Sequence, residues 1–337
     1  MNVSKILLLS LILLAIVCPA YPGKFAGSFL EIGVGARPLG MGGAYVAVAN
    51  DGTAFYWNPA GLALVEKPEI TFMYSTNFGG ITDPLANYNH AGFALPLPGD
   101  ATLSINWIRL SVDDIPQFPE LAGDNLADRL RDPALRPNGV PVGLFGDTED
   151  AFFFSFAKLN KFRVNLGWQY LSFPVEIPIG INLKVIQQKL FEDKASGLGI
   201  DVGAMIRFGI GEMLDSDHLG KLGFGFNIQD ISKTNLTWTS RHQDQIPVNL
   251  KWGFSYSQPI GLMNSELLFS YGKDTRYGGE SHWGVEYSLK TVFFRLGSND
   301  GSFTAGTGFH LWKVRLDYAF LGYDLGNVHR LSGAFQL

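Results

Sequence analysis

A single cysteine, Cys18, stands among the 337 residues, and it falls in a leader that export would remove. With no cysteine beyond that point, a mature chain has no disulfide, no thiolate metal ligand and no thiol nucleophile. Long apolar runs are also missing after residue 20, so no segment reaches the roughly 20 residues a spanning helix needs. Charge is scarce. Asp, Glu, Lys and Arg make up 17% of the chain, and the net charge of −5 gives no footprint for nucleic acid. Enzyme signatures are missing too. The six histidines, His90, His218, His242, His282, His310 and His329, form no His-Glu-x-x-His pair, and no Gly-x-Ser-x-Gly elbow occurs. Gly33-Val-Gly35 opens no βαβ unit, so neither a dinucleotide nor any other cofactor or metal is expected. Asp147-Thr-Glu-Asp150 and Asp215-Ser-Asp-His218 lack the ligand spacing of a calcium loop and read as solvated loop acids.

The leader has the parts of a secretory signal peptide over residues 1–20: Lys5, an apolar core from Ile6 to Val17, and a small-residue site ending at Ala20. A lipid-bearing Cys18 is the competing reading. Bulky Val17 before it and Pro19 after it count against that reading.

What is abundant is glycine and aromatic side chains. Forty of 337 residues are Gly, against a usual level of about 7%, and aromatics reach 13%. Segments such as Phe162-Arg-Val-Asn-Leu-Gly-Trp-Gln-Tyr170, Val248–Tyr256, His282–Lys290 and Lys313–Phe320 alternate large apolar residues with polar ones or Gly. This period of two marks strands with one greasy and one hydrophilic face. A secreted sandwich alternates as well. Runs of about 9–11 residues with aromatics near their ends fit a bilayer crossing better, and the polar faces fit a wet lumen.

The expected fold is therefore all-β, a transmembrane antiparallel barrel over residues 67–337. Roughly fifteen candidate strands can be marked, whereas bacterial single-chain barrels have an even number. Tight turns at Lys290-Thr291 and Trp312-Lys313, and a short one near Pro96–Asp100, should lie on the periplasmic side. Counting from both ends leaves one strand too many, so a candidate at 151–160, 162–172 or 179–190 is irregular or fused with its neighbour. About fourteen strands result. Asp113–Asp150, rich in Pro, Gly and charge, reads as a long outer loop with a short helix over Leu121–Leu130. The last strand places Leu331, Gly333, Phe335 and Leu337 on one face. Phe335 and Leu337 look like the terminal signal read by the barrel-assembly machinery.

Residues 21–66 follow neither rule. Gly35–Asp51 (GARPLGMGGAYVAVAND) has little charge and no alternation, and Gly40, Gly42 and Gly43 permit bends and close approach. In Phe55-Tyr-Trp-Asn-Pro-Ala-Gly-Leu-Ala63, Asn58 is an N-cap and Pro59 a first helical residue. So slim a segment before the first strand suits a hatch inside the lumen. These two blocks, with the final Leu316–Phe320 and Asp324–Arg330, closely resemble the PorV/PorQ family of outer-membrane barrels, relatives of the FadL long-chain fatty-acid transporters. The resemblance implies a fourteen-stranded barrel with its hatch at the motif residues, so Gly35, Gly40, Gly42, Gly43, Asn50, Asp51, Asn58, Pro59, Ala60 and Gly61 are the candidates for gating. It also implies one of two tasks in the outer membrane. PorV-like proteins receive exported proteins carrying C-terminal sorting domains in type IX secretion, and this is the first expectation. FadL-like passage of a hydrophobic small molecule is the alternative. A barrel hydrolase built from separate strands is a third; His282 and Glu286 share one hydrophilic face but read as lumen lining.

Overall fold

A computed structural model describes residues 26–80, 83–123, 125–135, 139–165, 167, 172–216, 218–261, 265–276, 279–323 and 326–337. The signal-peptide assignment, residues 1–20, lies outside the described residues. The alternating segments become strands β1 (Glu69–Gly80), β2 (Asp83–Leu97), β3 (Ala101–Gln117), β4 (Gly143–Asn165), β5 (Ser172–Leu190) and β6 (Asp193–Gly209). Next come β7 (Lys221–Gln229), the short β8 (Asn235–Trp238) and β9 (Gln243–Gln245), and β10 (Asn249–Ile260). The rest of the chain supplies β11 (Ser265–Asp274), β12 (Ser281–Leu289), β13 (Val292–Asn299), β14 (Ser302–Leu311), β15 (Val314–Tyr323) and β16 (Gly326–Gln336).

Neighbouring strands pair antiparallel, β7 passes directly to β10, and β1 closes on β16 from Glu69↔Gln336 to Thr76↔His329. Among the described residues fourteen strands make this closed ring. The hairpin β8–β9 stands outside it, joined to β6 at Ala195↔Trp238. Closure answers the sequence pattern: a greasy outer face requires lipid, and in lipid every backbone amide must find a partner within the sheet.

Alternation sorts the two faces. Phe72, Leu103, Ile105, Phe154, Phe156, Ile181, Phe254 and Leu296 are exposed on the outside, while Ser104, Asn106, Ser155, Asn182 and Ser255 are buried within. This outer belt ends in polar contacts. Trp107 Nε1 and the Arg109 guanidinium both donate to Asp150, at 2.7–2.8 Å, on one side, and Lys161 meets Asp100 at 3.1 Å on the other.

The expected tight turns are present at 98–100, 290–291 and 312–313, all at the end of the ring where β16 finishes. The surplus strand is explained by β4, which runs unbroken for 23 residues and joins the candidate at 151–160 to the first residues, Phe162–Asn165, of the candidate at 162–172; the rest of that candidate up to residue 171 lies, apart from Gly167, outside the described residues. Strand lengths differ from expectation. β3, β5 and β6 span 17, 19 and 17 residues, well beyond a bilayer crossing, so these walls continue past the belt. The long loop is correspondingly shorter than 113–150. β3 extends to Gln117 past a bulge between Val112 and Ile115, and β4 begins at Gly143. The helix there starts later than expected, at Leu126–Arg131, because Asn125 rather than an upstream residue caps it by accepting from Asp128 N.

Replacing Phe154 by Lys should destabilise the barrel in bilayers by about 2–4 kcal/mol if the site lies near mid-plane. Denaturant unfolding in lipid vesicles checks this, and a Phe154→Lys barrel as stable as the parent would contradict the outward assignment.

Candidate functional site

The interior is built around residues 27–65, nearly all of which are buried. The run Phe55-Tyr-Trp is the end of a one-turn helix, Ala54–Trp57, whose last carbonyls have no partners of their own. Strand amides supply them. Asn182 of β5 donates to Phe55 O at 2.7 Å, and from β7 Gln229 donates to Tyr56 O at 3.1 Å and Asn227 to Trp57 O at 3.0 Å. The rings are held too. Phe55 packs edge-on to Phe153 of β4, Trp57 packs edge-on to Tyr45 and Tyr56, and Trp57 Nε1 donates to Val34 O at 2.8 Å. Asn58 then caps the expected helical turn, Pro59–Leu64, which is 3-10 in geometry, by accepting from Ala60 N. Its own amide donates to Val46 O at 2.8 Å, so one side chain orders both the turn and the preceding coil.

Glycine is abundant because segment and wall approach at backbone distance. A Cβ on Gly180, Gly225, Gly284 or Gly297 would strike the backbone of Pro59, Val46, Met41 and Met41 respectively. Gly42 adopts φ 65°, where a side chain would strike both its own backbone and Ser298. Gly61 is closed off by the Ala49 carbonyl.

Charge ties the segment to the opposite wall. Arg37 meets Glu286 of β12 through two hydrogen bonds of 2.9 Å, and Glu286 meets Arg295 of β13 at 2.5 Å. Arg295 contacts Asp317 of β15 at 2.8 Å, Asp317 contacts Arg315 at 3.1 Å, and Arg315 contacts Asp51 at 2.9 Å. Asp51 returns to Arg37 at 3.6 Å. Three guanidinium groups and three carboxylates thus alternate in a closed, neutral circuit, two members on the segment and four on the barrel. Burial works against the Asp51 charge. The fields of Arg315 and Arg37, with hydrogen bonds from Thr53 and Tyr45, nevertheless hold its carboxyl well below the usual carboxylate range.

A second chain of ions fastens the start of the segment. Lys184 bridges Asp201 and Asp230 at 2.8 Å each, and Arg276 joins Asp230 at 3.3 Å to Glu31 at 2.5 Å.

The structure gathers some expected residues and scatters others. Gly35, Gly40, Gly42, Gly43, Asp51, Asn58, Pro59, Ala60 and Gly61 line the contact between segment and wall, while Asn50 is exposed and accepts from Arg37 at 2.8 Å. Phe335 and Leu337 sit at the barrel seam instead, Phe335 opposite Ile70 and Val314. His282 and Glu286 both face the segment, but Glu286 is consumed by two guanidinium groups. The acids at 147–150 are strand residues of β4, not loop residues, because β4 starts at Gly143; Asp217 of the other acidic group lies outside the described residues. Glu31, Lys184, Arg295 and Asp317 are missing from the sequence-based set. For Lys184, Arg295 and Asp317 the one signal is a charged residue at an inward position of an alternating strand; Glu31 lies in a helical turn of the segment and carries none.

Removing one buried member of the circuit strands its partners, so Arg37→Ala should destabilise by about 3–5 kcal/mol. Double-mutant cycles with Glu286→Gln would measure the coupling, and additivity would show the pair to be independent. The lowered Asp51 value also fixes a pH window. Its contribution is complete above the unfolded value of about 3.9 and is lost as pH falls through the lower folded value. Protease protection of residues 27–65 should therefore be unchanged from pH 8 to 5 and weaken only in stronger acid.

No protein-family model matches the chain, and no curated protein matches it either. Among solved structures it is similar to the Ralstonia pickettii toluene transporter TbuX, with 12% identity, a TM-score of 0.45, and coverage of 90% of this chain and 98% of that one. The P. putida toluene transporter TodX gives 10% identity, a TM-score of 0.44 and coverage of 90% and 99%. A Pseudomonas aeruginosa FadL homologue gives 11%, 0.41, 90% and 98%.

Proposed function

We propose that this chain is an outer-membrane passage for small hydrophobic molecules, with residues 27–65 as its gate. The observation that carries the reading is the occupied lumen. The segment touches the inner faces of β4 to β7 through amides and aromatic rings, and those of β12 and β15 through ions. A solute can pass only when part of this contact gives way. The chemistry of the solute is suggested by the link between β3 and β4, where Phe118, Leu121, Leu126, Val140 and Val142 stand exposed beyond the belt. Such a cluster on an outer surface binds apolar compounds. On this reading the end carrying that link is extracellular, the end with the tight turns is periplasmic, and Phe335 and Leu337 close the strand read by the assembly machinery.

One observation favours a second reading, PorV-type receipt of exported proteins with C-terminal sorting domains. The same link, raised on long strands, presents exposed apolar side chains on which a polypeptide can dock.

Both the passage and its gate are testable with the Ala36→Cys, Ser332→Cys pair, whose parent residues touch at 3.0 Å through Ala36 N and Ser332 Oγ. In vesicles, the reduced barrel should admit a labelled aromatic hydrocarbon faster than protein-free vesicles do, oxidation should stop entry, and reductant should restore it. Deleting residues 35–63 should give a steady conductance in planar bilayers. Equal entry with and without protein would overturn the passage. Undiminished entry through the oxidised barrel would overturn the gate, and capture of sorting-domain proteins without hydrocarbon entry would favour the second reading.

A further inference from the structure

We propose that Asp274, Glu280 and His282 form a binding site for one divalent transition-metal ion of the zinc class at the mouth of the lumen, and that the ion pins the Gly42–Gly43 turn. The hairpin between β11 and β12 brings the three together. Its ends are joined by Asp274 N donating to Glu280 O at 3.1 Å and Glu280 N donating to Asp274 Oδ1 at 3.3 Å. One donor atom from each side chain lies within 4.8 Å of the others. Ligands about 2.0–2.2 Å from one tetrahedral zinc ion stand about 3.3–3.6 Å apart, so rotation of the side chains has to draw the donor atoms together by up to about 1.5 Å.

The histidine tautomer points to a cation independently. His282 Nδ1 lies 3.1 Å from the Gly42 carbonyl oxygen, which can only accept, so Nδ1 carries the proton. In the neutral ring the Nε2 lone pair then faces the carboxylates, and its 3.8 Å from Asp274 Oδ2 is too long for a hydrogen bond. A lone pair aimed at an anion is repelled unless positive charge stands between them, either a proton on Nε2 or the bound cation proposed here. An imidazole held through Nδ1–H by a backbone carbonyl is the usual arrangement behind a metal-bound Nε2.

The surroundings leave both charge and room for the ion. Arg276 is engaged by Glu31 and Asp230, and Lys251 lies 3.9 Å from Asp274. Lys251 also lies over the rings of Tyr56 and Trp57, which share its charge. All three ligands open onto a cavity of about 60 Å³, with space for an ion and completing waters.

The test uses the full-length barrel in detergent, stripped with chelator, desalted and loaded with zinc chloride. One zinc per barrel by elemental analysis is expected, with affinity lowered at least tenfold in His282→Ala and in Glu280→Gln. Faster migration of the unheated protein on gels confirms that each variant is folded. Zinc should also slow amide exchange at Gly42 and Gly43 in the parent protein and not in His282→Ala. Less than a tenth of an equivalent of zinc in the parent, or equal affinity in both folded variants, overturns the site. Normal binding without any change at Gly42 and Gly43 overturns the pinning.

Discussion

The pairing of β1 with β16 is the constraint on which the rest of the molecule depends. Its eight residue pairs leave the fourteen-strand ring without a free edge, and in hydrocarbon an unpaired backbone group costs several kcal/mol. Closure fixes what the faces must be. Every strand has to present apolar side chains outward, so whatever polar chemistry the chain carries is confined to the lumen and the two ends. Residues before Glu69 then have an interior already lined with amides, hydroxyls and charges. A slim segment whose own backbone groups need partners completes it.

Ionic contacts inside such a lumen do not chiefly add stability. Desolvating six charges cancels much of what their attraction returns, whereas removing one leaves the others buried and uncompensated. The circuit through Arg37, Glu286, Arg295, Asp317, Arg315 and Asp51 therefore acts as an address. It rejects a segment seated one residue out of register, because Glu286 would then lose Arg37 and Arg315 would lose Asp51. The contacts with β4 to β7 are of another kind, amide to carbonyl and ring to ring, with Gly180 of β5 and Gly225 of β7 set directly against the segment's backbone. One wall thus holds the segment by charge and the other by close packing.

Much of the architecture was legible in the sequence because a period of two reports directly on which side of a strand a residue faces. Asn58-Pro59 announced its turn through cap chemistry alone, and the even-number rule placed a surplus strand among the candidates between 151 and 190. Strand length was not legible. Lys158, Asn160 and Lys161 look like a turn in one dimension, yet they continue β4 because Pro178, Ile177 and Glu176 of β5 pair with Leu159, Asn160 and Lys161. The charge circuit was hidden for a different reason. Arg37 and Glu286 are 249 positions apart, and alternation marks each as inward without saying which inward residues meet. The tautomer of His282 was out of reach too, since it follows from a carbonyl 240 residues away.

Glycine connects the two ends of this reasoning. In a sheet interior it weakens a strand, yet here it recurs on inward faces where the strand meets a second backbone. Gly284 and Gly297, neighbours across β12 and β13, meet Met41 together. A side chain at either site would push the turn at Gly42 off the wall and carry the Arg37 guanidinium, five residues earlier, away from Glu286. Close packing at glycine is thus what brings the charges within range. The composition that first set this chain apart is the geometric condition for its interior electrostatics.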